Sequence, residues 1–283
     1  MKQLRTLIDA ATLGALLGQP GLHVIDCRHD LADLEAGRRA YAEGHIPGAV
    51  FMHLDEDLSG ACDGRNGRHP LPDAAGFAAR LGALGIGPDD QVVACDDAGG
   101  AIAARLWWML RWIGHEHAAV LDGGYRAWRK AGLPLDTAVP SPAPVSHAAG
   151  DAAVGSIDAA GLQAALAAQA VCLIDARSPD RFAGQNETLD PVAGHIPGAV
   201  NRFFRSNLAD GRFRPAAELR ADFEALLAGR APADVVHQCG SGVTACHNLL
   251  AMEIAGLHGS RLYPGSWSEW CADPARPVAT GDA

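Results

Sequence analysis

Short apolar runs alternate along this chain with longer segments in which apolar residues recur every three or four positions. Leu22–Asp26, Gln91–Cys95 and Ala119–Leu121 read as strands, Phe77–Leu84 and Ala101–Trp112 as helices, and the second half carries counterparts. Strand alternating with helix predicts an α/β protein built on mostly parallel sheets, with helices on both faces. One stretch joins the two patterns. Val235 and Val236 belong to a run that ends at Cys239, and Gly240, Ser241 and Gly242 make a small-residue turn. Thr244–Leu257 then carries Ala245, Leu249, Leu250, Ile254 and Leu257 at helical spacing. Strand, tight loop and helix are predicted, with the cysteine at the carboxyl end of the strand, where such folds bind ligands.

The pattern is written twice. Gly44-His45-Ile46-Pro47-Gly48-Ala49-Val50 returns unchanged as Gly194 to Val200, and Ile8-Asp9-Ala10-Ala11 returns as Ile157-Asp158-Ala159-Ala160. Val24 to Arg28 answers Leu173 to Arg177, Gln91 to Cys95 answers Asp234 to Gln238, and Gly123 to Trp128 answers Gly265 to Trp270. Blocks repeated in one order mean a duplicated fold unit. Two tandem domains are expected, over 1–135 and 157–283. Residues 136–156 join them, with Pro140, Pro142 and Pro144 among Ala, Ser and Gly suiting a semi-extended linker. His45 and His195 recur in both copies although only one copy has the cysteine loop. They are therefore expected to hold a turn rather than to catalyse. Asp26 and Asp175, at strand ends, are expected to fix loops.

Composition narrows the class. A length of 283 residues suffices for two cores, and a formal net charge of −10 argues against a nucleic-acid surface. The seven cysteines are odd in number and form no CxxC pair, which suits a reduced protein without structural disulfides. No apolar stretch is long enough to span a bilayer. Asp9 interrupts the apolar segment near the N-terminus, and that segment belongs to the repeat rather than to a leader. A cytoplasmic protein is expected, with no membrane and no nucleic-acid partner.

Cys239 is the candidate nucleophile. Gly240 and Gly242 permit backbone conformations in which successive N–H groups point into one concavity, and the following helix adds its positive end there. Such surroundings favour a thiolate and could equally hold a terminal sulfur on Cys239. In the first copy the corresponding residues are Asp96-Asp97-Ala98-Gly99-Gly100. An aspartate cannot carry transferable sulfur, so the first domain is expected to be catalytically silent. Cys246, two helical turns past Cys239, is expected in the core.

Cys239-Gly240-Ser241-Gly242-Val243-Thr244-Ala245 resembles the active-site loop of the 3-mercaptopyruvate sulfurtransferases, in the rhodanese superfamily, and the likeness covers nearly the whole chain. It implies two rhodanese-like domains and transfer of a sulfane sulfur from 3-mercaptopyruvate, through a Cys239 persulfide, to a thiol, cyanide or a thioredoxin-like acceptor. No metal or organic cofactor is implied. By the same resemblance Asp55, His69 and Ser241 form a proton relay, while Gly240, Gly242, Val243 and Thr244 belong to the substrate-binding loop. Arg181 matches the family's first substrate arginine. Arg177 closes the strand block shared with Arg28 and is expected to be structural. The segment where the family places its second substrate arginine, 184–192, contains none here; Arg202 and Arg205 are left as substitutes.

Three other readings compete. The same cysteine could accept sulfur from thiosulfate, whose enzymes typically carry basic residues where this loop has Gly240 and Ser241. A phosphatase on a related fold needs an arginine at the position of Ala245. A non-catalytic tandem module that binds protein partners would not need a cysteine in a two-glycine loop.

Overall fold

The structure is a computed structural model that describes residues 3–281. Residues 1, 2, 282 and 283, at the outer ends of the two expected domains, lie outside the described residues. The chain forms two compact units, each discontinuous in sequence. The first contains 1–60, 71–153 and 210–213; the second contains 61–70, 154–209 and 214–283.

In the first unit the elements are β1 (Leu7–Ile8), α1 (Ala10–Leu16), β2 (Leu22–Asp26), α2 (Ala36–Glu43), β3 (Val50–Phe51), α3 (Ala74–Ala83), β4 (Gln91–Cys95), α4 (Ala103–Trp112), β5 (Ala118–Leu121) and α5 (Gly124–Lys130). Its sheet has the order β1-β5-β4-β2-β3, every pair parallel. The second unit has β6 (Gly155–Ser156), α6 (Ala159–Ala167), β7 (Cys172–Asp175), α7 (Pro179–Phe182) and β8 (Ala199–Asn201). Two short strands follow, β9 (Leu208–Ala209) and, within the first unit's 210–213 segment, β10 (Arg212–Phe213). Then come α8 (Ala216–Leu227), β11 (Val235–Gln238), α9 (Ala245–Ile254), β12 (Arg261–Leu262) and α10 (Ser266–Trp270). The second sheet, β6-β12-β11-β7-β8, repeats the order and parallel sense of the first. This is the α/β architecture expected from the alternating pattern.

The repeated residues explain themselves locally. Asp9 and Asp158 are N-caps whose carboxylates accept from Thr12 N–H (2.9 Å) and Gly161 N–H (2.7 Å). Buried Arg28 donates to Asp26 and to Gly44 O, and buried Arg177 donates to Asp175 and to Gly194 O; the two carbonyl contacts are both 2.8 Å. The Arg28 guanidinium lies over the Tyr125 ring, and that of Arg177 over Trp267. His45 stacks on Tyr41 and bonds its carbonyl through Nδ1, and His195 does the same with Phe182. All four groups therefore hold turns, as their recurrence in both copies suggested.

Each unit holds a cluster of packed apolar residues. In the first unit Leu13, Val24, Ile46, Val93 and Trp128 pack together; in the second Leu162, Leu173, Ile196, Val236 and Trp270 do the same. Fully burying one such aliphatic side chain contributes about 1.5–3 kcal/mol, and residues outside these clusters, such as Ile25, Val92, Leu106 and Ile174, are buried as completely. After Asp136, which exchanges backbone hydrogen bonds with His45, the chain runs over the first unit without regular structure. Val145 N–H reaches Gly82 O (2.9 Å), Gly150 N–H reaches Ile113 O (2.8 Å), and Ala153 N–H reaches Arg111 O (2.9 Å). Among the described residues no helix is long and apolar enough to cross a membrane.

Candidate active site

Strand β11 ends at Gln238, and the next residue, Cys239, is 2% exposed. Its backbone is pinned from both sides: its N–H donates to Ser266 Oγ (3.1 Å), and its carbonyl accepts from Trp267 N–H (3.0 Å). The loop then turns back so that Gly242 N–H donates to the Cys239 sulfur at 3.2 Å. Only glycine fits there. Gly242 has φ +78°, and a Cβ on it would lie 2.2 Å from Pro264 O. Val243 is buried, and Thr244 is the N-cap residue of α9. The sulfur thus sits where a strand ends, a helix begins and a main-chain N–H already points at it. Cys246 is buried beneath, its thiol donating to Gly242 O at 3.3 Å, as expected of a core residue.

The segment 61–70 belongs to the same unit as this loop and brings two residues to it. His69 Nδ1 and Ser241 Oγ, both nearly buried, share a hydrogen bond of 2.7 Å, in which the hydroxyl donates when Nδ1 is unprotonated. Two of the three predicted relay residues are therefore in contact. The second arrival is Arg68, which the sequence reading did not single out. A Cβ on Gly240 would lie 2.9 Å from Arg68 Nη2 and 3.3 Å from Arg181 Nη2, so both guanidiniums lie against the Gly240 backbone. Arg68 pairs with Asp190, while Arg181 is gripped by Glu187 through Nε (3.1 Å) and Nη2 (2.8 Å). Both carboxylates are almost fully buried.

Burial works against the charge on Glu187, yet the Leu189 N–H and the Arg181 guanidinium outweigh it and hold its pKa below the ordinary value. At Asp190 burial wins over Arg68, and the pKa is raised. Beneath them, burial opposes the charge of Arg177. Asp175, Glu187 and, more weakly, the negative form of Cys239 overcome that and raise its pKa. Arg202 is spent elsewhere, on Asn207 (3.0 Å), Asp222 (3.3 Å) and the ring of Phe223, and Arg205 lies by Phe204. The extra cation at the loop is thus Arg68. Its one sequence signal was its place beside a predicted relay residue.

In the first unit Asp96 occupies the corresponding strand end. Its carboxylate accepts from four main-chain N–H groups, those of Ala98, Gly100, Ile102 and Ala103, at 2.8–2.9 Å. Desolvation raises its pKa, and these four bonds act the other way. The loop architecture is therefore an anion cradle, with a fixed carboxylate in the first copy and a sulfur in the second. Asp55 follows β3 on the first unit, where its carboxylate lies 3.8 Å from His29 Nε2 and 3.7 Å from His53 Nδ1.

A model of the rhodanese-like domain matches residues 9–131 and 158–273, most of the chain. The chain belongs to the rhodanese family. The two matched regions of this rhodanese chain take in all but the first strand of each parallel five-stranded sheet, in line with the resemblance of the cysteine loop. The chain is 51% identical over 279 residues to the "Probable 3-mercaptopyruvate sulfurtransferase" of Pseudomonas aeruginosa, with 98% of either protein covered. Thiosulfate sulfurtransferase of Bos taurus is 35% identical over 265 residues, covering 89% of this chain and 85% of the relative. Among solved structures, SseA from Escherichia coli, described as a 3-mercaptopyruvate sulfotransferase, superposes with a TM-score of 0.81 at 29% identity. That match covers 92% of this rhodanese chain and 98% of SseA.

Proposed function

We propose that Cys239 is the sulfur carrier of a 3-mercaptopyruvate sulfurtransferase and that Ser241, His69, Arg181 and Arg68 serve it. The protein is a sulfurtransferase, and its similarity to the Pseudomonas protein along the whole chain supports 3-mercaptopyruvate as donor. The observation that carries the site reading is the Ser241–His69 hydrogen bond beside a sulfur that already receives a main-chain N–H.

In the first half-reaction the Cys239 thiolate attacks the donor's sulfur, an S–S bond forms and the donor's C–S bond breaks. The electron pair stays on carbon as the enolate of pyruvate. The proton lost by the donor thiol reaches that carbon, so pyruvate leaves with three methyl hydrogens and the persulfide stays anionic. Ser241 and His69 move this proton, and Asp55 is the proposed third member of the relay. The loop N–H groups and α9 stabilise the negative sulfur, while Arg181 and Arg68 bind the donor's carboxylate with forked donors. In the second half-reaction a thiol, cyanide or a thioredoxin-like protein takes the terminal sulfur and returns Cys239 to thiolate. Sulfur resides on the protein between the halves, so ping-pong kinetics follow. The first unit, with Asp96 at its strand end, is silent in this scheme. The seven unpaired cysteines suit a reducing compartment, and we place the protein in the cytoplasm.

A single turnover with 3-mercaptopyruvate and no acceptor tests this. One pyruvate per chain and a gain of about 32 Da on Cys239, the mass of one sulfur on the thiol oxidation scale, are expected. Neither should occur in Cys239→Ser, and transfer by that variant at the parent rate would refute the assignment. Thiosulfate is the second reading, favoured by the two guanidiniums at Gly240, which would also suit a dianion. A larger kcat/KM with thiosulfate than with 3-mercaptopyruvate would decide for it.

A further inference from the structure

His29, His53 and Asp55 form a cluster that sulfur transfer as proposed does not explain, since two of its three members have no part in it. Each residue offers one ligand atom, and the three atoms lie within 4.8 Å of one another. His29 Nε2 is 3.8 Å and His53 Nδ1 3.7 Å from Asp55 Oδ2. The His29 side chain is 1% exposed, and among the described residues neither of its ring nitrogens has a hydrogen-bond partner. A buried imidazole without a partner is costly, by roughly 1–3 kcal/mol, and calls for an explanation. A ligand is a sufficient one.

We infer that His29 Nε2, His53 Nδ1 and Asp55 Oδ2 form a three-ligand site for one borderline divalent cation, with Zn2+ as its natural occupant. Two imidazoles and a carboxylate suit such a cation, and three protein ligands leave a position for water. Ligand distances of about 2.0–2.2 Å around a tetrahedral centre put neighbouring donor atoms roughly 3.3–3.6 Å apart. The two measured separations need to close by only a few tenths of an ångström. The tautomer of His53 is already set for this role. Its Nε2–H donates to Leu34 O at 2.9 Å, which leaves Nδ1 unprotonated, the arrangement that metal-bound histidines share. At present Nδ1 accepts from Asp55 N–H at 3.1 Å, and a cation would take that place.

The test uses the untagged full chain carrying Cys239→Ser, which removes the loop thiolate as a competing zinc ligand and makes the result independent of sulfur transfer. Calorimetric titration with Zn2+ is expected to give one site per chain. Adding His29→Asn, or separately Asp55→Asn on the more exposed side of the cluster, is expected to weaken binding at least tenfold. Co2+ in place of Zn2+ is expected to give visible d–d bands without a thiolate charge-transfer band. Circular dichroism of the metal-free variants establishes that they fold, and the two substitutions give independent readings if one does not. Absent binding, binding unchanged in both variants, or a thiolate band from Co2+ would each overturn the proposal.

Discussion

At Gly242 the backbone is left-handed, with φ +78°, and a Cβ would sit 2.2 Å from Pro264 O. Gly242→Ala is expected to cost about 1–3 kcal/mol, read as a shift in the denaturant midpoint, and to slow sulfur loading because the N–H aimed at Cys239 moves away. Gly240→Ala differs in kind. Its new methyl meets the far end of the Arg68 side chain, which can swing aside, so stability is expected to change little while Arg68 is displaced. Arg68 carries its own prediction. Replacing it with Met alone leaves buried Asp190 only its longer contact with Arg181 (3.5 Å), so the informative variant is Arg68→Met with Asp190→Asn, which removes both charges. A charge-assisted bond worth about 1.5–3 kcal/mol implies a rise of roughly tenfold to a hundredfold in KM for 3-mercaptopyruvate, with the fold kept. At this scale the sequence was uneven. Cys239 and Ser241 stand in one local motif, whereas His69 was reached only through the family resemblance, and the structure brings Ser241 and His69 into contact. Arg68 stands in a polar loop without periodicity, and its role depends on which unit that loop joins.

Strand, loop and helix recur as one element in the two units, and the first copy shows what the loop is built to hold. Four N–H groups converge on the Asp96 carboxylate. Asp96→Ala leaves them without that acceptor in a buried loop and is expected to destabilise the first unit by about 2–4 kcal/mol; Asp96→Asn keeps one acceptor oxygen and should lose less. Chemical denaturation of both variants checks the ranking. Elements of ordinary length were legible: β2 and β4 have the limits that their apolar runs predict. Helix α4 begins at Ala103 rather than Ala101, and α9 runs from Ala245 to Ile254 rather than from Thr244 to Leu257. Of the residues missing at the starts, Ile102 donates its N–H to Asp96 and Thr244 is the N-cap of α9. Strands β1, β3 and β6 have two residues each, too few for any period to show, and only the duplication hinted at them.

Across the molecule, acid is expected to weaken the fold before it protonates most surface carboxylates. Burial, with His147 stacked alongside, lowers the pKa of His115 to about 4, whereas an exposed histidine titrates near 6.5. Between those values the unfolded chain binds the extra proton, so stability rises with pH through that window and is lost as pH falls from about 6.5 towards 4. The full difference amounts to roughly 3 kcal/mol. His115→Leu should flatten that slope in urea midpoints taken from pH 4 to 7, and an unchanged slope would assign the acid sensitivity to other groups. The twofold organisation was the most legible property of all, because identical heptapeptides need no propensity argument. What the repeat could not disclose is that the halves exchange short segments, residues 61–70 going one way and 210–213 the other. A gene fragment encoding only 154–283 would therefore keep Cys239 but lack His69, the hydrogen-bond partner of Ser241, and Arg68, which lies against Gly240.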